Sequence, residues 1–70
     1  MNKETNELVL KEFNKMLENT GLRVDFVSGK MGIAKQTVSS WRNGKFYFSI
    51  KTLNHITAFI NKANKIYGKL

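Results

Sequence analysis

Few side chains in this 70-residue chain have the chemistry for catalysis or metal binding. There is no cysteine, which removes thiolate ligands, thiol nucleophiles and disulfides together. His55 is the single histidine, and no second histidine or paired carboxylate stands beside it. Metal and general-base roles therefore lack partner residues. No Gly-rich phosphate loop and no nucleophile–base pair occurs either. An enzyme is not expected, and no cofactor, metal or small-molecule ligand is implied. What remains is a set of cations, amides and hydroxyls. Lys and Arg total 12 against 5 Asp and Glu, a net charge of +7. The acids are Glu4, Glu7, Glu12, Glu18 and Asp25; beyond them Lys30, Lys35, Arg42, Lys45, Lys51, Lys62, Lys65 and Lys69 stand unopposed. A single-sign field of this kind costs self-repulsion and concentrates polyanions. Nucleic acid is the first partner class it suggests and an anionic membrane surface the second. A merely soluble basic surface is the plain alternative.

Positioning such groups requires a framework, and the length allows one domain, residues 1–70. A chain of this size buries roughly 60% of its unfolded surface. The composition, 41% hydrophobic and 24% charged, is that of a globular protein. No apolar run approaches the roughly 18 residues of a membrane span. The N-terminus lacks the apolar stretch of a signal peptide, so the cytoplasm is the expected location. From about Thr5 to Thr20, Val9, Phe13, Met16 and Leu17 form the stripe of an amphipathic helix. Glu7 and Lys11 are spaced for a helical ion pair, and Gly21 suits the closing cap. A second short helix spans Val24 to Met31 and stops at Gly32, with Ile33 as an apolar anchor. A third, Lys35 to Arg42, presents Val38 and Trp41 on one side, and Asn43-Gly44 turns the chain. Ser49 caps a long last helix running to Tyr67, with Leu53, Ile56, Ile60, Ala63, Tyr67 and Leu70 in steps of three and four. Gly68 is its natural stop. The fold class is all-α, with four helices (five at most) and no strand.

Two short helices joined by a glycine turn, the second polar on one face, describe a helix-turn-helix over about residues 24–43. The ungapped window from Gly21 to Gly44 resembles the helix-turn-helix of the phage lambda-type repressor and Cro (XRE-like) family. That family wants apolar residues where Val27, Met31, Ile33, Val38 and Trp41 stand, a small residue at Ser28 and glycine at Gly32. The reasons are physical: a larger side chain at Ser28 pushes the crossing helices apart, and Gly32 supplies a positive φ. Val9, Phe13 and Met16 match the family's first helix. Ser49, Ile50, Leu53, Ile56 and Ile60 match the helix that closes its core, so the likeness covers about residues 8–61.

The resemblance implies that the third helix enters the major groove of double-stranded DNA. Base-contacting residues are then Lys35, Gln36, Ser39 and Ser40, with Gln36 able to pair bidentately with adenine. Phosphate-contacting residues are Arg23, Arg42, Asn43, Lys45 and Ser49, the last beside backbone amides of the final helix. Three departures stand out. Val24 replaces a glutamine that often grips phosphate. Arg23 and Ala34 replace the hydroxyl caps of the second and third helices. Arg42 occupies the place of an acid whose usual arginine partner is here Leu17, which leaves Arg42 free for phosphate. Trp41 reads as core from its spacing to Val38. Phe46-Tyr47-Phe48 reads as a loop open to three uses: covering the core edge, forming a protein interface, or laying Tyr47 on the DNA backbone. One or two of the three belong in the core.

The last helix is longer than closing one small core requires. Phe59, Ala63, Ile66 and Tyr67 are expected to form a homodimer interface, at least on DNA, with Lys62, Lys65 and Lys69 flanking the seam. Packing of Phe59 and Ile66 on the first helix is the competing reading. The expected function is a small transcriptional regulator of a phage, plasmid or mobile element. The other readings are a DNA-architectural or recombination accessory protein, and an antirepressor or antitoxin-like protein-binding module.

Overall fold

The computed structural model describes residues 2–68. Four helices follow in order: α1 Lys3–Thr20, α2 Val24–Met31, α3 Lys35–Arg42 and α4 Ile50–Tyr67. No strand occurs among the described residues. The helix boundaries follow the sequence signals, except that α1 starts two residues before Thr5. Lys69 and Leu70, expected to extend the last helix and its seam, lie outside the described residues.

The C-termini of α2 and α3 close with the same hydrogen-bonded device. At α2, Gly32 N–H donates to Gly29 O and Ile33 N–H to Ser28 O, with Gly32 at φ 71°. At α3, Gly44 N–H donates to Trp41 O and Lys45 N–H to Ser40 O, with Gly44 at φ 76°. These are Schellman closures, which need a left-handed residue where side chains are strained. The first aims Ile33 back at the core, where it packs partly buried. Gly68 works differently: its backbone is extended, and its N–H simply caps Asn64 O.

One core holds the helices together: Phe13, Met16, Val27, Met31, Val38, Trp41, Phe48, Leu53, Ile56, Ile60 and Ala63. α1 lies along α4, and α2 packs on α3. Ser28 is buried where α2 meets the core, its hydroxyl returned to Asp25 O at 3.1 Å. Trp41 is the hub of an aromatic run, edge-on to Phe13 (5.4 Å) and to Phe48 (5.2 Å). Of the three loop aromatics only Phe48 is buried; Phe46 and Tyr47 are exposed. Tyr67, placed by periodicity on the core stripe of α4, is also exposed.

Asn6 was not marked by any sequence signal, yet it is 1% exposed. Its Nδ2 donates to the carbonyls of Asn2 (2.7 Å) and Phe48 (3.0 Å). Its Oδ1 accepts from Trp41 Nε1 (3.0 Å) and Phe48 N (2.8 Å). One amide thus fastens the start of α1 to α3 and to the loop before α4. The expected Glu7–Lys11 ion pair is not formed. Among the described residues Lys15 pairs with Glu12 at 3.9 Å, and the other ion pair crosses from α2 to α3.

Candidate nucleic-acid interface

α3 turns Val38 and Trp41 into the core, and this orientation fixes what its other face presents. Lys35 and Gln36 are exposed at its N-terminal end, Ser39 and Ser40 are half-buried in the middle, and Arg42, Asn43 and Lys45 are exposed at its C-terminal end. Ser39, Arg42 and Asn43 join Asn14 of α1 around one shallow polar depression. Asn14 carries no motif in the sequence; only the packing of α1 beside the end of α3 brings it there. Arg42 makes no ion pair among the described residues, as its Leu17 neighbour in the pattern implies. It also borders a second depression, together with Glu7, Asn43, Gly44 and Tyr47.

The helix starts contribute next. Arg23 caps α2 with extended backbone (φ −90°, ψ 150°) and no side-chain hydrogen bond, and Ala34 caps α3 likewise without one. Neither cap residue therefore offers a side-chain acceptor to the first-turn N–H groups of its helix, which suits water or an anion. Val24 is half-buried against the core and offers only backbone there. Ser49 caps α4, accepting from Thr52 N at 3.4 Å, and is exposed.

The electrostatics are one-sided. All four glutamates lie on α1, and Asp25 is the single acid of α2 and α3. Its Oδ1 accepts from Lys35 Nζ at 2.7 Å. The Lys35 hydrogen bond and charge, with a smaller contribution from Arg23, hold the Asp25 carboxyl below the ordinary aspartate range. Lys35 is thus tied within the protein, where the sequence suggests a free cation.

A family model for the Cro/C1-type helix-turn-helix DNA-binding domain matches residues 12–61. The chain belongs to that family. Neither a curated protein nor a solved structure shows a significant match to the chain. Membership in the Cro/C1-type family makes this a helix-turn-helix DNA-binding domain. No helix among the described residues is long and apolar enough to cross a membrane.

The Cro/C1-type match ends at Asn61, whereas α4 continues to Tyr67. Phe59, Ala63, Ile66 and Tyr67, expected at a dimer interface, meet Phe26, Lys30 and Lys62 around a groove between α2 and α4. Ile66 is 58% exposed, while Phe59 is half-buried. Ala63 is 1% exposed, part of the core, and lines the groove from below. Phe26 is the residue that sequence reasoning left out. It meets Tyr67 edge-on at 6.2 Å and carries Lys30 Nζ 5.4 Å above its ring.

His55 has a structural role. Its Nε2 lies 3.2 Å from Met31 O, at the end of α2, where a ring N–H donates to a carbonyl that the helix leaves open.

Proposed function

We propose that this chain is a sequence-specific regulator of transcription of the small Cro/repressor type, serving a phage, plasmid or other mobile element in the cytoplasm. The carrying observation is the outer face of α3, which is amide, hydroxyl and cation from end to end while its inner face is core. Gln36, exposed near the start of α3, reads a base edge, adenine being its natural bidentate partner. Ser39 and Ser40 are short enough to let the helix approach closely, and Lys35 reaches a guanine edge or a phosphate. Arg23, Arg42, Asn43, Lys45 and Ser49 hold the phosphates on either side.

A lone helix-turn-helix reads too few base pairs to find one site in a genome, so two copies act on two half-sites about 34 Å apart. Phe59, Ile66 and Tyr67 supply the apolar contact between them, over the floor made by Ala63. No cofactor or small-molecule ligand is needed, and control comes from concentration and competition at the operator. Selection from a random DNA pool at two salt concentrations tests the reading. A defined sequence should emerge at both; enrichment of no sequence at either salt would leave only sequence-blind binding and sink the regulator.

A further inference from the structure

Asp25 is an anomaly in a surface otherwise built to meet polyanions. It stands in the first turn of α2, and its carboxylate reaches across the turn to Lys35, the first residue of α3. Lys35 is itself in an unfavourable place. A cation in the first turn opposes the helix dipole, and Ala34 supplies no cap to offset it. Both partners are 60% exposed, so water screens the pair and the fold gains little from it. A contact worth so little to folding still matters to a competitor at the same ammonium group.

Resting on the DNA-binding reading of α3, we propose that Asp25 is a specificity-determining residue. It holds the Lys35 ammonium away from DNA phosphate until a base edge takes its place. On arbitrary DNA, a phosphate that recruits Lys35 must first displace the carboxylate and then face its charge. Much of the gain is cancelled. At the operator, a guanine edge offers two directed acceptors, N7 and O6, which replace the carboxylate oxygen by geometry as well as charge. Asp25 therefore weakens non-specific binding more than specific binding, and the ratio between the two rises. The single acid of the helix-turn-helix works by subtraction.

The test uses four full-length proteins: the parent, Asp25→Asn, Lys35→Ala and the double variant. Each is titrated with a random-sequence duplex and with the duplex obtained by selection, across a salt series. Asp25→Asn should tighten the random duplex roughly threefold and tighten the selected one less, so the specificity ratio falls. The slope of log affinity against log salt on the random duplex should steepen by about 0.9, one added phosphate contact. In the Lys35→Ala background the same change should have almost no effect. Equal tightening with and without Lys35 would reduce Asp25 to long-range repulsion and overturn the proposal. So would an unchanged ratio, or weaker binding of the selected duplex alone. A parent that binds neither duplex overturns the DNA-binding reading and this role with it, whereas binding that ignores Asp25→Asn overturns this role alone.

Discussion

Asn6 and Gln36 carry the same amide and have opposite fates. Asn6 has both its donors and its acceptor used inside the protein, and its partners, Trp41 Nε1–H and the Phe48 peptide, are buried with it. Asn6→Ala removes all of that and leaves two buried N–H groups without acceptors. The expected cost is about 2–4 kcal/mol, read from the urea midpoint. A midpoint that barely moves would mean water enters and replaces the amide. Gln36 is exposed on α3 with no hydrogen bond from its side chain within the described protein, so its amide is available to a ligand. Gln36→Ala should leave the fold alone, cost about 1–3 kcal/mol on the selected duplex, and relax the preference at one or two base positions. Selection that returns the parent's sequence would remove Gln36 from the readout.

At the scale of elements, α2 and α3 are eight residues each, too short to persist alone, and are held by tertiary packing. Their C-termini are closed by Schellman turns, but their N-termini lack side-chain caps. The start of α3 is therefore the weaker end of that helix. Ala34 already has the extended backbone an N-cap needs (φ −57°, ψ 137°), so a hydroxyl there requires no rearrangement. Ala34→Ser should stabilise the protein by about 0.5–2 kcal/mol, seen as a higher melting temperature. A lower one would show that the hydroxyl prefers water or competes with the Thr37 N–H to Ala34 O bond.

The whole molecule distributes charge unevenly by element: α1 holds all four glutamates against three lysines, and after it Asp25 is the single acid among the cations. Binding to DNA should accordingly weaken steeply with salt, and Arg42→Ala should shallow the slope of log affinity against log salt by about 0.9. A slope equal to the parent's would show that Arg42 does not reach a phosphate. The groove between α2 and α4 is the other property of the whole, because neither helix forms it alone. Ile66 on its rim is exposed enough to change without opening the core. Ile66→Asp should give a folded protein that stays monomeric by light scattering and binds a two-half-site duplex much more weakly. A variant that still places two copies on one duplex would move the interface elsewhere.

The four helices and their limits, apart from the start of α1, were legible in the chain because each signal is local. Apolar spacing sets the buried face, and Gly21, Gly32, Gly44 and Ser49 stop or start helices through their own backbone and side-chain preferences. The outward face of α3 followed from the same periodicity, once Val38 and Trp41 were turned inward. What tertiary structure alone decided involves partners distant in sequence. Asn6 meets Trp41 and Phe48 across 35 and 42 residues, so a polar residue sits on a core face for a reason no window could display. Asn14 joins the end of α3, and Phe26 joins Tyr67, only because the helices pack as they do. Ala63 and Tyr67 share an apolar pattern, yet one is buried in the core and the other stays exposed beside Phe26. Asp25 and Lys35, ten positions apart, become a pair because the turn folds the start of α3 back toward the start of α2. Periodicity tells which way a residue faces along its own helix, and only packing tells what it meets there.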